Sequence, residues 1–318
     1  MNFIRHSIRT ACALLIAPLL FACAHAISGA APVSSAIMST NSEKKAEPGT
    51  FPLSWYAGST EHASRPDFQV HAYNEDFFIL RQAAFTNYEK PFLYLIFGRD
   101  KAILFDTGAG KADVAGAVES VMKVWLKAHK RVSIPLIVAH SHAHGDHVAG
   151  DAQFSNRAGI TLVGKDTAAV RAFFSIQHWP TDMVTYDLGD RVLDILPIPG
   201  HEASSIAVYD RRTHILLTGD AFYPGRLYVR DGNAFTTSIQ RLVDFSATHN
   251  VAHFLGTHIE QSNTPFKDYV VGTVDQPNEH VLELTHADLL EMNAALKAMD
   301  GNVTRKAFAG LTIWPNTR

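Results

Sequence analysis

An apolar run at residues 134–139 leads into His142-Ala143-His144-Gly145-Asp146-His147, and this string restricts the chain more than any other stretch. In extended backbone alternate side chains point the same way, so His142 and His144 can close on one ion. Gly145 then allows a tight turn that aims Asp146 and His147 at a neighbouring position. Imidazole and carboxylate together suit zinc, iron or manganese.

Three further segments repeat that grammar, each a strand-like run ending in a potential ligand beside glycine. Residues 196–200 end at His201, residues 214–219 at Asp220, and residues 253–257 at His258. At 318 residues and 47% hydrophobic, the chain can bury the core of one large domain or two small ones. Its net charge is only -3, with acids and bases interspersed. No basic stripe is present, so a nucleic-acid partner is not expected.

Arg5, His6 and Arg9 precede an apolar run at 11–24 and then small residues, the layout of a bacterial secretory signal. Ala24-His25-Ala26 offers cleavage after Ala26, and Ala22-Cys23-Ala24 offers another site. Residues 1–26 are therefore expected to be a signal peptide that sends the protein to the periplasm or outside the cell. Leu20-Phe21-Ala22-Cys23 fits a lipoprotein box poorly, so a lipid anchor on Cys23 ranks below soluble export. The run is short for a stable membrane span. Both cysteines, Cys12 and Cys23, lie here, leaving the mature chain no thiolate ligand and no disulfide. Residues 27–50 read as a flexible linker and 51–318 as the folded domain.

Periodicity predicts strands at 77–83, 92–98, 101–105, 134–139, 160–163, 191–198, 205–209, 214–218 and 253–256. It predicts helices at 113–128, 167–174, 235–248 and 286–299. Two similar halves of this kind suggest two facing sheets with helices outside.

With Asp106-Thr107-Gly108, the HxHxDH string, Gly200-His201, Gly219-Asp220 and Gly256-Thr257-His258 in order, the chain resembles the metallo-β-lactamase superfamily over residues 65–265. The resemblance implies an α/β fold, a four-layer αβ/βα sandwich with the site at one edge of the two sheets. It implies that His142, His144 and His201 bind one metal, that Asp146, His147 and His258 bind a second, and that Asp220 bridges both. The cofactors expected are two divalent ions, zinc first, with iron or manganese as alternatives. Asp106 would support a ligand from behind or cap a turn. His140 falls at the strand's last position, as a core histidine. His62, His71, His129, His249, His253, His280 and His286 lack a carboxylate at ligand-like spacing, and His178 lies where a substrate loop could fall.

Tyr223, three residues after Asp220, resembles the arrangement in N-acyl homoserine lactonases, where a phenol faces the substrate carbonyl. Oxyanion donation and packing against the sheet edge both stay open for it. Two cations about 3.5–4 Å apart can lower the pKa of a shared water toward ~7. No Gly-x-Ser-x-Gly element is present. The expected activity is metal-assisted hydrolysis of an ester, lactone or thioester in a small-molecule substrate, with Asp146 helping to orient the water.

The lack of a mature cysteine separates the chain from thiolate-using β-lactamases, and a single clear helix after His258 separates it from glyoxalase II. A β-lactamase and a mononuclear iron persulfide dioxygenase-like oxidoreductase are the alternatives. Substrate choice falls to loops near 62–90, 173–186 and 222–236. Their aromatics, Phe77, Phe78, Phe85, Tyr88, Phe173, Phe174, Trp179, Tyr223 and Phe235, form either a hydrophobic rim or core.

Overall fold

The computed structural model describes residues 46–58 and 65–316. The expected signal peptide, both cysteines, residues 27–45 of the expected linker and His62 lie outside the described residues. Residues 46–50, also expected as linker, are tied to the domain: Glu47 N–H donates to Arg212 O and Thr50 N–H to Tyr73 O.

The first sheet runs β1 (Phe68–Asn74), β2 (Phe77–Gln82), β3 (Phe92–Phe97), β4 (Ala102–Phe105), β5 (Leu136–Ala139), β6 (Ile160–Leu162), hydrogen-bonded in that order. The first four strands form an antiparallel meander, and β5 and β6 join in parallel. The parallel step needs a long crossover, which α1 (Val114–Ala128) supplies between β4 and β5. The second sheet contains β7 (Val184–Asp187), β8 (Val192–Pro197), β9 (Ile206–Asp210), β10 (Ile215–Gly219), β12 (His253–Gly256) and β13 (Glu283–Leu284), in the order β13-β12-β10-β9-β8-β7.

Every residue of β3 is buried, which explains its unbroken apolar sequence. Its alternate side chains feed two different cores. Phe92, Tyr94 and Ile96 meet Leu193, Ile195, Ile206 and Val208 between the sheets. Leu93, Leu95 and Phe97 pack outward beneath Val114, Val118 and Trp125 of α1. On the far side Leu196, Tyr209, Leu216 and Phe254 lie under α4 (Gly232–Thr248) and α5 (His286–Met299), which contribute Ile239, Leu242, Leu289 and Met292. Each large side chain so buried contributes roughly 1.5–3 kcal/mol. The result is the four-layer αβ/βα sandwich. Side-chain caps fix where the helices begin. Asp113 accepts from Gly116 N, Asp231 accepts from Ala234 N, and Thr285 with Asp288 forms a capping box on α5.

A third, small sheet was not expected. β11 (Arg226–Val229) pairs in parallel with β15 (Thr312–Pro315), which pairs antiparallel with β14 (Lys306–Ala307). Residues 226–229 therefore form a strand inside the stretch read as a substrate loop. Of the aromatics left open between rim and core, several belong to the core. Phe77 and Phe235 are fully buried, and Phe174 is core as well. Among the described residues no helix is long and apolar enough to cross a membrane.

Candidate metal centre

β5 delivers the histidine string to the sheet edge. After His144, in extended backbone, the chain enters α2 (Gly145–Val148). The tight turn expected of Gly145 is thus one helical turn, and a Cβ at that position would meet nothing within 4 Å. Gly200 is different: at φ +135° it holds a conformation open to glycine, and a side chain there would overlap the Phe235 backbone. That tight approach of the 199–201 turn to α4 sets the position of His201.

The seven side chains singled out in the sequence come together. His144 Nδ1 lies 3.0 Å from His142 Nε2 and 2.9 Å from His201 Nε2. Asp146 Oδ2 lies 3.3 Å from both His147 Nε2 and His258 Nε2. Asp220 stands between the two groups. Its Oδ2 is 3.7 Å from His142 Nε2 and 3.4 Å from His201 Nε2, while its Oδ1 is 3.6 Å from His147 Nε2 and 3.5 Å from His258 Nε2. Within each group of four, counting Asp220 in both, all ligand-type atoms lie within 4.8 Å of one another. His140 stays outside both groups, its Nε2 facing Asp151 Oδ1 at 2.8 Å. His178 is an exposed ring paired with Asp182, away from the cavity.

Hydrogen bonds behind the rings decide which nitrogens face inward. His201 Nδ1 faces the Tyr228 carbonyl at 2.7 Å and His258 Nδ1 faces the Glu89 carbonyl at 3.0 Å, so both must carry hydrogen there. Asp106, fully buried in a left-handed conformation at φ +71°, accepts from Ser141 N at 2.7 Å, Ser141 Oγ at 2.8 Å and His147 Nδ1 at 2.9 Å. Ser141 Oγ, its own proton given to Asp106, accepts from His142 Nδ1 at 3.0 Å. Four rings thus turn Nε2 inward. His144 can offer one Nδ1 proton to two such neighbours, and its own Nε2 is buried without a partner. Lone pairs and carboxylates that converge in this way repel one another unless cations or extra protons lie between them, so the donor set fits two divalent ions. The supporting role weighed for Asp106 matches its geometry. Asp106→Asn is expected to lower metal affinity about 10–100-fold, with the fold retained. Competition with a chromogenic chelator reads this, and unchanged affinity would contradict it.

In the metal-free site the carboxylates hold protons on the second group. Burial opposes charge on His258, but Asp220 and Asp146 outweigh it and raise its pKa to about 9. Burial opposes charge on His147 too, and Asp146, Asp220 and Asp106 together hold its pKa well above the usual value. The first group is the opposite. Burial, reinforced by neighbouring histidines, pushes His142 well down and His144 to about 4. A raised pKa means the proton is bound at pH 7 and must leave as metal enters. Metal uptake by the second group is therefore expected to release protons at pH 7 and to tighten as pH rises toward 9, while uptake by the first releases none. Calorimetry in buffers of different ionisation enthalpy reads the two steps, and equal release in both would contradict the assignment.

The groups open into a cavity of about 340 Å³ whose walls include Glu89, Tyr223, Tyr228, Arg230, Glu260 and Asn316. Of the two roles left open for Tyr223, the geometry favours packing over oxyanion donation. Its hydroxyl donates to the Arg226 carbonyl and has Glu260 Oε2 at 3.1 Å. With its single proton committed, the phenol braces the 223–226 turn over His258, whose ring centroid lies 5.5 Å away. Tyr223→Phe is expected to cost about 1 kcal/mol of stability and to lower kcat less than about threefold. A kcat loss of two orders of magnitude would restore the donor role. Sequence reasoning missed Glu89 and Tyr228, which act on ligand rings through backbone carbonyls, and the lining residues Arg230, Glu260 and Asn316.

A family model described as "Metallo-beta-lactamase superfamily" matches residues 90–248, half of the chain. The chain belongs to the metallo-beta-lactamase superfamily. Among curated relatives, an acyl-coenzyme A thioesterase MBLAC2 of Bos taurus is 25% identical over 206 residues, covering 55% of this chain and 69% of the relative. A hydroxyacylglutathione hydrolase of Rhizobium meliloti (strain 1021) is 25% identical over 174 residues, covering 54% of this chain and 63% of the relative. Among solved structures, a metallo-beta-lactamase from Pontibacter korlensis aligns with a TM-score of 0.48 and 19% identity, over 72% of this chain and 99% of that one. These curated relatives are hydrolases of the superfamily, and His and Asp groups able to hold metal stand at the edge of the fold.

Proposed function

We propose that the protein is a dinuclear metal-dependent hydrolase, with zinc as the first choice of ion, that cleaves a thioester, ester or lactone in a small-molecule substrate. The observation that carries this reading is Asp220, whose two oxygens each face a separate cluster of inward-turned imidazoles. His142, His144 and His201 would hold one ion, Asp146, His147 and His258 the other. Two divalent ions so held supply Lewis acidity to a carbonyl and lower the pKa of a water toward about 7. Asp146, half-buried in the cavity lining, would be placed to accept a hydrogen bond from a water held there and so to fix its direction. Asp106, Ser141 and the carbonyls of Glu89 and Tyr228 keep four rings from rotating, so that little reorganisation accompanies the reaction.

The relatives named as thioesterase and hydroxyacylglutathione hydrolase support placing a thioester first. The test is a panel of acyl thioesters, acyl lactones, aryl esters and a chromogenic cephalosporin with the zinc-loaded protein. At least one of the first three is expected to reach kcat/KM of about 10⁴ M⁻¹s⁻¹ or more. Cleavage of the cephalosporin alone would move the assignment to a β-lactamase. One iron per chain with dioxygen consumption would move it to an oxidoreductase. Export belongs to the same reading and rests on residues 1–26. Mass spectrometry of the envelope fraction is expected to show a chain beginning after Ala26 or Ala24, and an uncleaved cytosolic chain would contradict it.

A further inference from the structure

The cavity wall beside the second metal group carries a carboxylate that no base neutralises. Glu89 lines the cavity half-buried, and its backbone carbonyl faces His258 Nδ1 at 3.0 Å, so the residue is fixed next to that group. Among the described residues no lysine or arginine pairs with it. Its polar partner is the Tyr88 hydroxyl, whose hydrogen bond to the carboxylate, with burial, raises the Tyr88 pKa to about 12. The cavity's other carboxylate outside the metal groups, Glu260, is taken. Its Oε1 lies 2.6 Å from Arg226 Nη2, and its Oε2 accepts from Arg226 N at 2.8 Å. Arg230 is the one lysine or arginine in the described lining, and it acts on His144 of the first group, whose pKa it helps to lower.

Tyr228 stands with Glu89 in that wall. Burial raises the Tyr228 pKa, and the Glu260 and Glu89 carboxylates add to the rise, so the Glu89 charge lies close to the phenol. β11 fixes the ring: Tyr228 pairs with Trp314 across the parallel β11–β15 register, while Leu227, on the other face of the strand, packs into the core. A half-buried carboxylate without a cation gives up hydration that nothing returns. An aromatic face beside it attracts the same cations through its quadrupole. Carboxylate and ring together suit an ammonium group, not an anion or a plain hydrocarbon.

We propose that Glu89 and Tyr228 form a cation subsite of the cavity, and that the substrate presents an alkylammonium group to them. The inference rests on the hydrolase reading above and narrows it to thioesters or esters with a positive charge set away from the scissile carbonyl. Glu89 then does two separable things: its carbonyl orients His258, and its carboxylate selects the substrate. The charge can belong to the acyl part or to the leaving group.

Two pairs of thioesters separate these cases, and in each pair a tert-butyl carbon replaces the charged nitrogen. The first pair is the trimethylammoniobutyryl thioester of N-acetylcysteamine with its neutral isostere; the second is acetylthiocholine with its neutral isostere. The zinc-loaded wild type is expected to favour the cationic member of one pair by about tenfold in kcat/KM, an advantage that shrinks as salt rises. Both members of a pair meet the same metal centre, so their ratio within one variant cancels any change in the centre itself. In Glu89→Gln, which keeps the carbonyl behind His258, that ratio is expected to fall about tenfold, chiefly through KM. In Tyr228→Leu, which keeps the carbonyl behind His201, it is expected to fall about threefold. Equal or poorer cleavage of both cationic members by the wild type, or an unchanged ratio in either variant, would overturn the subsite. If the wild type cleaves none of these thioesters, the thioesterase arm of the function fails instead, and the subsite is judged by calorimetric binding of choline. Binding that weakens about tenfold in Glu89→Gln supports the subsite, and absent or unaltered binding overturns it.

Discussion

Asp220→Ala is expected to abolish turnover, lowering kcat/KM by about four orders of magnitude. The side chain is the one residue common to both ligand groups, with Oδ2 toward His142 and His201 and Oδ1 toward His147 and His258. Losing it removes a ligand from each group and the anion that holds the two ions together. Burial alone would raise the pKa of this carboxyl, but His258, His147 and His142 hold it well below the usual range, so it is charged at any working pH. The fold is expected to survive, because His147 keeps Asp106 and Asp146 as partners, His258 keeps Asp146, and either ring can shed its proton rather than stay buried and uncompensated. Thr257 Oγ1, which donates to Asp220 Oδ1, is left to find water. Kinetics with metal analysis on one sample reads both consequences. Near-wild-type rates with full metal content would contradict the role given to Asp220.

His144→Ala has the second largest expected effect, a loss of about three orders of magnitude in kcat/KM. Its Nδ1 is the point on which His142 and His201 converge, so the first group is left with two imidazoles and a share of Asp220. The second group does not involve His144. Metal content is expected to fall from about two ions per chain toward one, leaving a single ion where a two-ion site is required. Circular dichroism distinguishes this from unfolding, and the wild-type signal is expected. Two ions per chain with rates within about tenfold of wild type would contradict the ligand assignment.

The parts of this site that were legible in the sequence are those where side-chain chemistry and local backbone coincide. The histidine string follows β5 closely, Gly200 and Gly219 each immediately precede a ligand, and Gly256 stands two residues before His258. The core strands were legible because β3, β9 and β10 are buried along their whole length and read as continuous apolar runs. The small sheet was not. Pro224-Gly225 and the charged Arg226 hide the apolar alternation of β11, and its partner β15 lies some 80 residues away, with no local signal for parallel pairing. β14 and β13 are two residues each, too short to show a period. Glu89 and Tyr228 escaped for another reason. They orient His258 and His201 through backbone carbonyls, which every residue type possesses. The position of Tyr223 near the ligands was legible but not the direction of its hydroxyl, which depends on the Arg226 carbonyl and on Glu260, two residues after His258.

The central claim is that seven side chains enclose two neighbouring ions shared by Asp220. The most direct test is metal quantification of the purified protein after zinc loading, with a crystal structure collected at the zinc edge. The account predicts two zinc ions per chain about 3.5–4 Å apart, one among His142, His144 and His201, the other among Asp146, His147 and His258, with Asp220 touching both. A saturated protein that holds no zinc, or whose anomalous peaks lie away from these residues, would contradict it.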